Sequence, residues 1–505
     1  MVQIAGSEAG PPSFFVGRKT TSTNSQKRPF FPLYRLISSF SPLFTMASRL
    51  LSNTFPVKAS LTKQFVRPLA TAAKQAVATR TTVLPNGLTV ATEENSQAGA
   101  ATVGVWIDAG SRSENVNGTA SFLENAAVKL THKEKKKSQA SAFEKLGGIL
   151  RSNTTRDQTF FAAKTLGANA AASVEIISNI IQTPVSSSAV AASRADVLKQ
   201  LAEIDSNHEQ VVFDHLYATA FQGSSLSRPT AGVPESVESV TAEELAAYQK
   251  TNYAADRMVL VGSGDISHEA LVKLAEQHFG AINPGQAVES KKPYFTGSEI
   301  RLRDDLMPQA RVAIAVEGAA ALSEDYFNLL VMQAVIGSWD RTLGAAAHLS
   351  SRLSTIVNKN HLANSFASFT KGHKDTGLFG IYFESENREQ IDDFVHFLQN
   401  EWVRLSTSVT AGEIERAKQQ VKAGLLLNLD TTCSIAGDIG SQILTNGKRL
   451  TGDEIKSTIN KITAADVRRT ANKYLWDQEV AVVGLGPIEG LTDYNRVRGN
   501  MAYNR

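Results

Sequence analysis

Glu124 is the single carboxylate in TASFLENAAVKL, residues 119–130, a stretch with the apolar rhythm of an amphipathic helix. A carboxylate so placed can deprotonate a metal-bound water, provided two histidines stand one helical turn apart beside it and a third ligand arrives from elsewhere. The inverted form of that motif reads His-x-x-Glu-His. The matching run here is Ser121-Phe122-Leu123-Glu124-Asn125, with the carboxylate present and both imidazoles replaced. Ser121-x-x-Glu124 also has capping-box spacing, so a helix starting at Ser121 or Thr119 would explain Glu124 without catalysis.

Other metal arrangements find little support in the sequence. The nine histidines are His132, His208, His215, His268, His278, His348, His361, His373 and His396, and no two are three or four residues apart. His208 and His215 would share a helix face, but about 10 Å apart, too far for one ion. The single cysteine, Cys433, excludes an intrachain disulfide and a multi-cysteine metal site.

The elements that must position these residues come in two echoing halves. TAEELAAYQKTNYAADRMVLVG (241–262) and TAADVRRTANKYLWDQEVAVVG (463–484) agree in length and pattern at an offset of 222. Each opens on a capping Thr, continues as a helix and ends in a β-branched strand. QTFFAAKTLGANAAASVEIISNIIQ (158–182) and TGLFGIYFESENREQIDDFVHFLQ (376–399) each read as a strand leading into a helix, and TVGVWIDAGSRSE (102–114) parallels RVAIAVEGAAALSED (311–325). The predicted class is therefore α+β, two pseudo-symmetric lobes enclosing a cavity. Expected boundaries are 1–69 as a leader, 80–285 as the first lobe, 286–308 as a Pro- and Gly-bearing linker, and 309–505 as the second lobe. Gly262-x-Gly264 and Gly484-x-Gly486 lack the third glycine of a dinucleotide fingerprint and read as strand-ending turns.

At 505 residues the chain exceeds one ordinary core, and 42% hydrophobic with 20% charged residues fits a globular protein. From Ala47 to Thr92 there is no acid, while Arg49, Lys58, Lys63, Arg67, Lys74 and Arg80 recur, the profile of a mitochondrial transit peptide. Met46 reads as the start codon, and RPLA (67–70) predicts a cut after Leu69. Residues 1–69 hold nine of the 52 Lys and Arg and one of the 49 acids, which leaves 43 basic and 48 acidic residues, a net charge of −5. The basic character belongs to the leader, so nucleic acid is not an expected partner. HKEKKK (132–137) reads as a solvated loop or as a contact for an acidic partner or anionic lipid. No apolar run is long enough to span a bilayer.

VGVWIDAGSRSEN, SFLENAAVKL, SNTTRDQTFFAAK, QVVFDHLYATAF, IGSWDRT, KDTGLFGIYF and GPIEGLTDYNRVR, in that order, resemble the pitrilysin-type family. That family includes mitochondrial processing peptidase and the core proteins of ubiquinol–cytochrome c reductase, and the resemblance runs from about Thr81 to the C-terminus. It implies that the two metal-binding histidines fall on Ser121 and Asn125, the catalytic Glu on Glu124 and the third ligand on Gln200. A hydroxyl and two neutral amides hold zinc poorly. The implied expectations are no catalytic residue, metal or cofactor in this chain, with Glu203 the nearest conceivable substitute ligand. GSEIRLRDD (297–305) and DYNRVR (493–498) lean toward the core proteins, which implies a non-catalytic scaffold subunit of complex III on the matrix side of the inner membrane. Its partners would be core protein 2, cytochrome b, cytochrome c1 and the iron–sulfur (Rieske) subunit. The alternative is the β subunit of the processing peptidase; GSWDRTLGAAAHLSSRL (337–353) stands where the α subunit of that enzyme has a glycine-rich loop, and argues against the α type.

Overall fold

Alternating apolar residues build two six-stranded sheets. The computed structural model describes residues 78–133, 143–285, 291–343 and 351–502. The leader, the predicted cut and most of the lysine run lie outside them. The first sheet comprises β1 (Arg80–Val83), β2 (Thr89–Glu94), β3 (Ala100–Ile107), β4 (Ile149–Thr154), β5 (Thr159–Leu166) and β6 (Met258–Gly264), in the order β1-β2-β6-β3-β5-β4. The second comprises β7 (Ser298–Arg303), β8 (Ala310–Gly318), β9 (Ser338–Asp340), β10 (Ser365–Gly372), β11 (Gly377–Ser385) and β12 (Ala481–Gly486), in the order β7-β12-β8-β11-β10-β9.

The sheets superpose in logic. In each, one pair is parallel, β2 with β6 and β7 with β12, and the rest are antiparallel. Thus β2-β6-β3-β5-β4 corresponds to β7-β12-β8-β11-β10. The extra strands lie at opposite ends: β1 extends the first sheet beyond β2, whereas β9 covers the outer edge of β10. Among the described residues no strand covers the outer edge of β4. The segment expected as a linker departs from that reading, because its residues 298–303 are β7 and pair in register with β12. The Gly-x-Gly sites do end strands: Gly264 and Gly486 both have positive φ, and a Cβ there would strike the carbonyls of Ala100 and Gln309.

Helices cover both faces of each sheet. Those needed below are α1 (Thr119–Lys133), α2 (Ser187–Ser206), α3 (His208–Ala220), α4 (Glu324–Ile336), α5 (Ala411–Leu427) and α6 (Thr432–Asn446). One face of the first sheet, with Val103, Val105, Ile107 and Phe161, packs on helices of its own half, Phe122 and Leu123 of α1 included. The alternate residues Ala91, Trp106, Val259 and Val261 instead pack on Ala436, Ile439 and Ile443 of α6, from the second half of the chain. The exchange is reciprocal. Val212, Leu216 and Tyr217 of α3 pack on Ala313, Ala315, Leu378 and Val483 of the second sheet. Each half lends one helix to the other's sheet, so the lobes are interlocked by apolar cores and not merely tethered.

Where the lobes meet, the β4–β5 turn faces the β10–β11 turn, its pseudo-symmetric counterpart. Arg112 is buried and donates to Asp157 of the first turn at 2.7 Å and to Asp375 of the second at 2.8 Å. His373 Nδ1 meets Asp157 Oδ2 at 2.6 Å, and its Nε2 lies 2.9 Å from the Tyr217 hydroxyl. Burial disfavours the Asp157 charge, but His373 and Arg112 outweigh it and hold its carboxyl below the usual range. No helix among the described residues is long and apolar enough to cross a membrane.

Candidate functional site

The start of α1 is set by Glu114, five residues ahead of it. Its carboxylate accepts from the amides of Gly118 at 2.9 Å and Ala120 at 2.7 Å, two of the donors that a helix start leaves unpaired. Burial pushes the Glu114 carboxyl up to about 8, against the pull of those amides and of Arg228. The capping-box reading of Ser121 and Glu124 is thereby overturned. The helix begins at Thr119, one of the two expected starts, Ser121 lies inside it, and Glu124 accepts from Thr154 of β4.

Ser121, Glu124 and Asn125 of α1, Ser152, Asn153 and Thr154 of β4, Gln200 of α2 and Gln210 of α3 line one cleft of about 260 Å³. The structure thus brings together all four positions singled out in the sequence. Glu124 Oε2 accepts from the Thr154 hydroxyl at 2.6 Å. Burial pushes the Glu124 carboxyl up, and hydrogen bonds from Thr154 and Ser152 offset this only in part. Asn125 Nδ2 donates to the Ser121 carbonyl at 2.9 Å, bonding back along its own helix. Gln200 sits on the exposed rim of the cleft. Glu203 is not a substitute ligand: it is exposed, lies outside the cleft lining and approaches Lys199 at 3.8 Å.

The donor set does not fit zinc. Besides Glu124 the cleft offers hydroxyls and carboxamides, which carry no charge and bind a borderline-soft dication weakly against water. Among the described residues no three His, Cys, Asp or Glu side chains converge as a metal site would require. What the arrangement supplies is one half-buried carboxyl whose titration burial pushes up, several neutral hydrogen-bonding groups, and beside them the edge of β4, which no strand among the described residues covers. Sequence reasoning missed Thr154, Ser152 and Glu114. SNTTRDQ had been noticed, but nothing in its spacing tells which of its hydroxyls turns toward α1, and a helix cap reaching forward from position 114 has no local signature.

Residues 89–233 match the family model described as insulinase (peptidase family M16), and residues 239–421 match the M16 inactive domain. The chain is 47% identical to the mitochondrial-processing peptidase subunit beta of Lentinula edodes, over 88% of this chain and 97% of that protein. It is 49% identical to the probable β subunit of Schizosaccharomyces pombe, over 85% and 95%, and 39% identical to the human β subunit, over 85% and 88%. Among solved structures it resembles a chain of complex III2 from Candida albicans with Inz-5 bound, at a TM-score of 0.76 and 32% identity, covering 84% of this chain and 99% of that one. The relatives named as peptidase β subunits overturn two expectations, that the chain is a non-catalytic scaffold subunit of complex III and that it is no enzyme. Their names agree with the mitochondrial destination read from the leader. With two family models matching in tandem and such identity across both lobes, the chain belongs to the M16, pitrilysin-type peptidase family.

Proposed function

We propose that this protein is a β-type subunit of a mitochondrial processing peptidase, acting on the presequences of imported proteins together with an α-type partner in the matrix. The observation that carries the reading is the cleft: a half-buried carboxyl stands beside a strand edge that no strand among the described residues covers, in a chain 39–49% identical to proteins named as that subunit. The outer edge of β4 offers main-chain donors and acceptors to a peptide in extended form. The equivalent edge in the second lobe is taken by β9, so among the described residues only the first lobe presents this track. Among the described residues Glu124 is the one titratable group lining the cleft, and its carboxyl is the group that can take up or return a proton next to a bound peptide. Ser121, Asn153, Gln200 and Gln210 would orient the peptide carbonyls and amides. No step is assigned to zinc, which this donor set does not fit.

Binding tests the reading. The chain, purified with an α-type partner, is expected to bind a fluorescent presequence peptide saturably, and replacement of Ser152 by Pro on β4 is expected to weaken that binding at least tenfold. Equal binding of a scrambled, non-amphipathic peptide would refute it.

A second reading concerns partners and place. The likeness to a chain of fungal complex III supports attachment of this subunit to that assembly, against core protein 2, cytochrome b, cytochrome c1 and the Rieske subunit, peripherally on the matrix face of the inner membrane. Co-migration with those subunits after mild detergent extraction is the expected result, and recovery free of all of them would remove it.

A further inference from the structure

The second sheet ends on β7, and among the described residues no strand covers its outer edge. In the first sheet the matching edge, that of β2, is covered by β1. Ser298 donates its amide to the Val480 carbonyl and Asp304 to the Gly486 carbonyl, so the even-numbered residues turn their main chain to β12. Alternation along the strand then turns the amides and carbonyls of Glu299, Arg301 and Arg303 outward. The side chains of these three share one face, on which Arg301 reaches the carbonyls of Leu491 and Thr492. Ser298, Ile300 and Leu302 share the other face, where Ile300 packs on the apolar cluster of α3. Leu306 and Tyr294, at 95% and 68% exposure, are the two most exposed large apolar side chains among the described residues. They flank this strand, Tyr294 just before it and Leu306 just after.

Charge on an edge strand normally keeps other strands away. On β7 the order of the signs is instead self-complementary. Two copies paired antiparallel about Ile300 set Glu299 of each opposite Arg301 of the other, outward groups facing outward groups as a hydrogen-bonded pair requires. Arg303 comes opposite Gly297 of the second copy, and Glu479 Oε2 stands 2.6 Å from the place a Cβ of Gly297 would take. Both Arg303 and Glu479 are half-exposed, at 52%. A slip of one pleat in either direction would set Glu299 against Glu299 or Arg301 against Arg301, and like charges directly opposite repel. Antiparallel pairing also carries Tyr294 of one copy to the end of the strand that Leu306 follows in the other.

We propose that the outer edge of β7 is a self-association surface, on which a second copy of this chain adds its own β7 antiparallel and joins the two second-lobe sheets into one. Six residues per strand make a small contact, so the association is weak and reversible. The inference goes beyond the processing-peptidase reading, because this edge contains no residue of the Glu124 cleft. Its test reads pairing between copies and not peptide binding or cleavage, so the failure of either leaves the other standing.

The test is disulfide trapping in the purified full chain, alone and with an α-type partner, with Cys433→Ser to remove the native thiol. Facing residues of a non-hydrogen-bonded antiparallel pair have Cα atoms about 4.5 Å apart, a span that a disulfide bridges. Ser298, Ile300 and Leu302 are all half-buried, so single cysteines at these positions can be compared. Under mild oxidation Ile300→Cys should give a linked dimer at least tenfold faster than Leu302→Cys. Ser298→Cys and Leu302→Cys chains, when mixed, should link to each other in preference to themselves. Glu299→Arg should lower the Ile300→Cys yield at least fivefold, while Glu299→Asp should leave it within twofold. Equal rates at positions 298, 300 and 302, trapping of the α-type partner in place of a second copy, or a yield that Glu299→Arg leaves unchanged in a variant with normal circular dichroism would each overturn the proposal.

Discussion

Glu114, buried, and Glu124, half-buried, stand near the same helix start, and each has a distinct electrostatic consequence. The Glu114 carboxyl titrates at about 8 in the folded chain, against 4.5 as its ordinary value. Its raised value means that the folded state holds the extra proton between those limits, so the contribution of this group to stability is complete below pH 4.5 and is lost as pH rises toward 8. Glu114→Gln should remove that slope: melting curves of the variant and the parent should diverge with pH across this window, and parallel pH profiles would refute the assignment. At Glu124 the Thr154 hydroxyl favours the charged form. Thr154→Val should push the carboxyl higher still and move any activity that needs Glu124 ionised to higher pH, at a stability cost of about 1–2 kcal/mol for the lost buried hydrogen bond. A pH–rate profile that does not move would contradict the role given to Thr154. Ser121, Glu124 and Asn125 were legible in the sequence because motif spacing survives substitution, and Gln200 only through the family resemblance. The partners of Glu124 were not, because β4 reaches α1 only through the tertiary fold.

Among the elements, α6 is the most informative, since it belongs to one half by sequence and to the other by packing. Gly440 lets it lie close on the first sheet: a Cβ there would clash with the Trp106 ring. Gly440→Ala should therefore destabilise by about 1–3 kcal/mol through overpacking, despite the better helix propensity of alanine. Urea denaturation checks this, and a stabilised variant would show that Trp106 can move aside. The strands and helices of each half could be read from apolar periodicity and from the 222-residue echo, because those signals are local. The exchange of α3 and α6 between lobes could not. A helix face that packs on its own sheet and one that packs on a neighbouring sheet carry the same apolar pattern. For the same reason β7 was hidden in a segment whose Pro, Gly and charge content reads as a linker, because a parallel edge strand is defined by β12, almost two hundred residues away.

At the scale of the whole molecule, two lobes are joined by exchanged helices and by a charged seam centred on Arg112. Arg112→Met leaves Asp157 and Asp375 facing each other without their shared cation. The expected loss is about 1–3 kcal/mol, below that of a fully buried pair because both carboxylates keep some contact with water. Faster proteolysis in the 286–308 segment should accompany it, and an unchanged digestion rate would show that the apolar exchange alone holds the lobes. Two-lobed architecture and mitochondrial destination were accessible from the sequence, whereas activity was not. Loss of the histidines argued for a scaffold, while relatives 47% and 49% identical to this chain across both lobes are named as peptidase subunits. The most direct test of the central claim is mass-spectrometric analysis of a presequence peptide incubated with the purified chain and an α-type partner. Cleavage at a single site, abolished by Glu124→Gln in a complex that still binds the peptide, is the predicted result. A peptide that remains intact in the presence of the unaltered complex would contradict it.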